Sequence, residues 1–181
     1  MVEPMRFAYA DPPYIGQARR MYGPDAREVN HELLVAHLME FDGWALSATS
    51  NSLRYLLPLC PEKARVGAWV KKTAVYKKGV NPTYAWEPVI YYGGRRGKDR
   101  AKPNSFVLDW VHALVASFHN NPGRVVPGAK PQGFCFWLFE LLGMQPDDEL
   151  TDIFPGSGSV GNEWDAWRRQ QRFLFDTEEV G

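Results

Sequence analysis

Arg6-Phe7-Ala8-Tyr9-Ala10-Asp11-Pro12-Pro13-Tyr14, close to the start of a 181-residue chain, is the stretch on which the fold turns. Its first half alternates large and small residues, the pattern of a short buried strand. Two successive prolines then fix φ and remove two backbone donors, so the strand stops abruptly. A carboxylate, two proline carbonyls and an aromatic ring are thereby held at its carboxyl end. In open α/β sheets that is where ligands collect. A second stretch answers it far downstream: Leu150-Thr151-Asp152-Ile153-Phe154-Pro155-Gly156-Ser157-Gly158. It reads as another short apolar strand, ending in an acid and a glycine-rich turn. Side by side, two such strand ends would form a site for a cofactor and a substrate.

The intervening chain reads as the scaffold that joins them. Ile15 to Asp25 is a polar loop over the site. Asn30 caps a helix from His31 to Phe41, Trp44 to Thr49 is a strand, and Asn51 to Leu59 is a short helix closed by prolines. Alternating strands and helices imply a parallel sheet with crossovers. Arg65 to Lys72 and Glu87 to Tyr92 read as third and fourth strands, the latter antiparallel to its neighbour. Gly93 to Asn104 reads as an exposed glycine-basic loop, disordered without a ligand. Phe106 to Phe118 carries helical spacing, as does Phe134 to Leu142. Asn162 to Phe175 reads as an amphipathic helix with Trp164, Trp167, Phe173 and Phe175 facing inward. The expected organisation is one domain over residues 1–181, with a basic recognition segment inserted at 73–104.

Hydrophobic residues make up 45% and charged residues 23%, as in ordinary globular proteins, while 14% aromatics with seven Trp is high. No apolar run approaches a membrane span, and no signal-peptide pattern opens the chain, so a cytoplasmic protein without membrane contact is expected. Cys60 and Cys135 read as reduced core residues. His31, His37, His112 and His119 show no metal-ligand spacing, so no metal is expected. The formal net charge is zero but unevenly spread. Lys63 to Lys102 holds eleven Lys or Arg against two acids, a net +9, and the remainder carries −9. So basic a segment suits a polyanion, and Lys77, Lys78, Arg95, Arg96, Lys98 and Arg100 are the candidate nucleic-acid contacts.

Taken together and in this order, the motifs resemble the amino-directed DNA methyltransferases that use S-adenosylmethionine (SAM). The likeness is to their circularly permuted β group, where the catalytic motif comes first and the cofactor motif last. Asp11-Pro12-Pro13-Tyr14 matches the catalytic tetrapeptide. Lys130-Pro131 matches the lysine-proline before the cofactor strand, and Asp152 to Gly158 matches the Asp-Pro-Phe-x-Gly-x-Gly turn with Ile153 replacing proline. Trp86-Glu87-Pro88-Val89-Ile90 resembles the strand before the target-recognition segment. The likeness covers about residues 5 to 160. It implies an α/β, Rossmann-like methyltransferase sheet, circularly permuted, and double-stranded DNA as partner in methylation of the restriction–modification type.

The chemistry of these residues agrees. An exocyclic amine of adenine or cytosine is barely nucleophilic, because its lone pair is delocalised into the ring. Hydrogen bonds to the Asp11 carboxylate and the Pro12 carbonyl would free that pair for attack on a sulfonium methyl. Tyr14 would stack on the base, which must leave the duplex. Gly156 and Gly158 would let backbone approach SAM, with Ser157 and Ala10 beside it. Phe154 would pack on the cofactor, Asp152 would face its amino group, and Lys130 could hold its carboxylate. The resemblance further implies adenine N6 over cytosine N4 as the target, since the cytosine-directed members of that family more often begin the tetrapeptide with serine.

Beyond the glycine turn the family continues into a helix and a strand bearing an acid for the ribose. Here Val160 to Gly181 read as one helix and an acidic tail, so edge strands are expected to be missing, with Glu163 or Asp165 as substitute acids. A homodimer or a completing subunit would then enclose the cofactor. RNA adenine methylation, cytosine-N4 methylation, protein-glutamine methylation and a catalytically silent DNA-binding subunit stay open.

Overall fold

The computed structural model describes residues 3–19, 23–71, 78–100, 106–114 and 129–178. In chain order these form β1 (Arg6–Ala10), α1 (His31–Leu38), β2 (Gly43–Ser47), α2 (Leu53–Leu56), β3 (Arg65–Val70), β4 (Trp86–Gly93), β5 (Trp110–His112), α3 (Gln132–Leu142), β6 (Glu149–Asp152) and α4 (Ser159–Glu178). The strands make one sheet in the order β5-β3-β4-β2-β1-β6. β1 pairs parallel with β2 and β6, β3 pairs parallel with β5, and β4 runs antiparallel between β2 and β3. This is the mixed α/β, Rossmann-like arrangement expected, with six strands among the described residues.

The size alternation in β1 has a direct structural cause. Successive strand residues point to opposite faces. Phe7 and Tyr9 face a layer built by α3 and α4, where they meet Phe134, Leu138, Phe139, Trp164 and Trp167. Ala8 and Ala10 face α1 and α2, and their small side chains leave room for Leu34, Leu38, Trp44 and Leu56. α1 starts where expected, because the Asn30 side chain accepts a hydrogen bond from Leu33 N. No helix among the described residues is long and apolar enough to cross a membrane. Cys60 is half-buried and Cys135 fully buried, and both are free thiols.

Three readings need correction. Phe106 to His112 is not helical: Trp110 to His112 form β5, paired with Ala68 to Val70, and 115–118 lie outside the described residues. The helical spacing is outcompeted by an open edge of β3. Two indoles pin the segment extended, Trp137 Nε1 donating to Leu108 O (2.8 Å) and Trp69 Nε1 to Ala113 O (3.0 Å). Phe173 is 69% exposed rather than inward, whereas Trp164 and Trp167 are buried as expected; the Phe175 side chain lies outside the described residues.

The third correction concerns the basic loop after β4. Gly94 has φ of +78°, and a Cβ there would overlap the Leu142 carbonyl oxygen. This close approach lets the chain dock on the end of α3 instead of entering solvent. Arg95 is consequently buried, paired in bidentate fashion with Asp148 and donating to Glu3 O (2.8 Å). Arg100 donates to the carbonyls of Glu140, Leu141 and Arg95, closing the carboxyl end of α3. Neither guanidinium stands free on a loop, and Gly97 to Asp99 form a 3₁₀ turn.

Candidate active site

In the β1–β6 pairing Tyr9 lies opposite Asp152, so both strands end at the same edge of the sheet. There Asp11, Pro12, Tyr14, Lys130, Asp152, Phe154, Gly156 and Ser157 line a single cleft of about 320 Å³. The kink and the glycine turn, distant in sequence, therefore converge. Pro13 is buried behind the cleft wall. Ala10 is fully buried in the α1 layer and Gly158 lies just behind the turn, where its N–H donates to Pro155 O (2.6 Å). Gly156 has φ of +48°, a conformation that favours glycine. The turn runs straight into α4, so Ser159 and Val160 at that helix's amino terminus also face the cleft.

The sequence reading missed Lys71, Glu87 and Trp69, which line the opposite wall. Antiparallel pairing puts Trp69 beside Glu87, and Lys71 emerges at the end of β3 to bond Glu87. The available signal was Glu87 itself, an acid within an apolar strand in the most basic part of the chain.

Lys130 is the hub. It is 7% exposed, and its Nζ lies 3.0 Å from Asp11 Oδ2 and 3.6 Å from Glu87 Oε2. The Trp69 and Phe134 rings flank it at 5.3 and 5.7 Å. Burial alone would pull its pKa down, but the Asp11 and Glu87 carboxylates outweigh that and hold it above the ordinary lysine value. The same reasoning runs in reverse for Glu87. Burial favours its neutral form, yet Lys130 and Lys71 keep its pKa below the usual carboxylate value. Burial, joined by Glu87 and Asp11, drives the Tyr14 phenol far above its ordinary value, so it stays protonated. Burial also raises Asp152, partly offset by a bond from Phe154 N (3.2 Å) and reinforced by Asp11. Tyr9, beneath the cleft, shares a 2.7 Å hydrogen bond with Ser47.

The cleft thus sets three carboxylates against two ammoniums, with aromatic walls. Such a site attracts a cation and can accept hydrogen bonds from a flat donor. Among the described residues no group of His, Cys, Asp or Glu could hold a metal ion. Of the expected nucleic-acid contacts, Lys78 and Arg96 are exposed, and Arg95 and Arg100 are engaged as described. Lys77 and the Lys98 side chain lie outside the described residues.

No protein-family model matches this chain, and no curated protein matches it. Solved structures do. It is similar to M1.HpyAVI in complex with SAM, at 13% identity and a TM-score of 0.61, over 91% of this chain and 78% of that one. A second structure of M1.HpyAVI matches at 12% identity and a TM-score of 0.52, over 91% and 77%. At such identity the likeness speaks for the fold, which is the Rossmann-like α/β sheet that this chain shares with M1.HpyAVI.

Proposed function

We propose that this chain is a SAM-dependent DNA methyltransferase that acts on the N6 amine of a flipped-out adenine. The observation that carries the reading is the convergence of Asp11-Pro12-Pro13-Tyr14 and Asp152 to Ser157 on one cleft. A SAM-bound neighbour with the same fold adds support.

The residues present suit the cofactor. SAM carries a net positive charge, and the cleft has one carboxylate in excess. Gly156 offers open backbone, since a Cβ there would meet nothing nearer than Phe154 O at 3.7 Å. Asp152 would face the cofactor's ammonium and Phe154 would pack on its flat face. Lys130 is already engaged by two carboxylates, so its part is to position Asp11 rather than to capture the cofactor carboxylate. SAM, when bound, supplies an electrophilic methyl on sulfur.

In this reading the Asp11 carboxylate and the Pro12 carbonyl accept the two N–H bonds of the adenine amine. The nitrogen is thereby drawn toward tetrahedral geometry and its lone pair is aimed at the methyl carbon. Tyr14, neutral throughout, stacks on the base. Taking up a methyl group would make the nitrogen cationic, with the sulfur keeping the electron pair of the bond it gives up, and Asp11 would be the nearest base for the proton that the nitrogen must then shed.

The test is incubation with methyl-labelled SAM and duplex DNA, followed by identification of the modified nucleoside. N6-methyladenine is expected, with Asp11→Ala lowering transfer by roughly 10²–10³-fold or more while the fold persists. Methylcytosine or methylated RNA would redirect the substrate assignment. No transfer to any nucleic acid, or unchanged turnover in Asp11→Ala, would overturn the reading.

A further inference from the structure

A second concave feature lies at the far end of the sheet. β3 runs from Arg65 toward the cleft, where Trp69 and Lys71 stand. At roughly 3.3 Å per residue, Arg65 is about 13 Å along the strand from Trp69 and about 20 Å from Lys71. Around it opens a pocket of about 380 Å³, whose polar lining consists of Arg65, Tyr91, Arg95, Arg96, Arg100 and Asp109.

Two buried donors in this lining have no partner among the described residues. Tyr91 is 7% exposed, and its hydroxyl makes no hydrogen bond. Arg95 is 4% exposed; its terminal nitrogens serve Asp148 and Glu3 O, but its Nε–H is unpartnered. Native proteins seldom bury donors in this way unless something else accepts from them. Burial keeps the Tyr91 phenol protonated, with Arg65 acting against it.

The cations here are of two kinds. Arg100 is fixed by three carbonyls and lends only its charge. Arg65 and Arg96 can still turn toward a ligand. Arg65 packs over the Tyr91 ring at 5.5 Å, and its 3.8 Å pair with Asp109 is loose, with both side chains more than half exposed. An exposed pair of that kind opens at little cost. Among the described residues Asp109 is the only carboxylate in the lining, against four guanidiniums, so the pocket is built to donate.

We propose that this pocket binds a phosphate group: the Arg65 and Arg96 guanidiniums turn onto it, and as Arg65 swings off the Tyr91 ring the enclosed Tyr91 hydroxyl and Arg95 Nε–H are uncovered to donate from the floor. Guanidinium forks match phosphate oxygens in pairs, and a dianion takes several charge-assisted bonds at once. The phosphate can come from a nucleic-acid backbone or from a free anion or nucleotide. The site is separate from the cleft and does not depend on methyl transfer.

The test is a titration of the full chain with inorganic phosphate against a chloride control of equal ionic strength. Phosphorus NMR and thermal unfolding are the readouts. The wild-type protein should show saturable binding and a phosphate-specific rise in Tm. Tyr91→Phe deletes one oxygen and keeps the packing. It should unfold no earlier than wild type without phosphate, yet bind phosphate roughly tenfold more weakly. Displacement of phosphate by an unphosphorylated single-stranded oligonucleotide would assign the group to a nucleic-acid backbone. Displacement by a nucleoside monophosphate alone would assign it to a small ligand. Absence of saturable binding by wild type, or wild-type affinity in Tyr91→Phe, overturns the proposal.

Discussion

Each end of the sheet carries a buried ion pair, and the two are built to opposite specifications. At the far end, Asp148 takes two bonds from Arg95, one from Met5 N (2.8 Å) and one from Gln145 N (2.6 Å). Both side chains are almost completely enclosed, at 2% and 1% exposure. The carboxylate has no capacity left, so its part is to join three chain segments. At the cleft end, Asp11 receives one bond from Lys130 and remains a quarter exposed. Among the described residues no hydrogen bond reaches its other oxygen. A saturated carboxylate holds a fold together, whereas a half-satisfied one at a strand end is available for chemistry.

The sharpest way to break this contrast is to remove the cation at each end. Arg95→Met strands Asp148 beneath β1 and β6 and should cost about 3–5 kcal/mol of stability, read from the urea midpoint. Lys130→Met should cost less, roughly 1.5–3 kcal/mol, because Glu87 keeps Lys71 and Asp11 can reach water. If the cleft carries out the proposed methyl transfer, that activity should nevertheless fall by roughly 10²-fold or more in Lys130→Met. Equal stability losses, or a larger one at Lys130, would erase the distinction between structural and functional ends.

The same division explains what the chain disclosed before its fold was known. β1 was legible because Phe7, Ala8, Tyr9 and Ala10 obey a local rule, and Pro12 and Pro13 end the strand by covalent geometry. The Asp152 to Gly158 turn was legible for similar reasons, and their shared cleft followed from parallel pairing. Glu87 and Lys71 were not, since their place in the cleft depends on the register that sets Trp69 opposite Glu87. β5 was misread because Val107, Trp110 and Val111 satisfy helical spacing, and only the open edge of β3 decides against it. Arg95 looked solvated because its neighbours Arg96 and Arg100 are basic; nothing local says that Asp148 waits for it.

Proton uptake sharpens the comparison within the cleft. Glu87 has a lowered folded pKa, so its contribution to stability is complete above the unfolded carboxylate value and is lost as pH falls through the folded one. Asp152 is raised, so its sign is opposite: stability is present below the unfolded value and lost as pH rises through the folded one. Urea unfolding across pH 3 to 8, roughly spanning both carboxyl groups, should therefore separate two variants. Glu87→Gln should lower stability near neutrality and flatten the acid limb. Asp152→Asn should raise stability near neutrality and change little at the acid end. Parallel curves for the two would mean that the Lys71–Glu87–Lys130 chain does not govern Glu87 as the geometry requires.

The smallest effect on stability is expected one residue from the largest. Arg96 follows Arg95 in sequence, yet it is exposed where Arg95 is enclosed. Arg96→Gln should leave stability within about 0.5 kcal/mol of wild type. If the basic segment meets a nucleic-acid backbone, the same change should reduce the slope of log affinity against log salt by about one. A stable variant with an unaltered slope would show that charge on this loop is merely solvated. A destabilised one would mean that the docking of the loop on α3 extends past Arg95. The pairing of these two arginines thus separates charge that builds the sheet's far end from charge that faces outward, because their local sequence surroundings are almost the same.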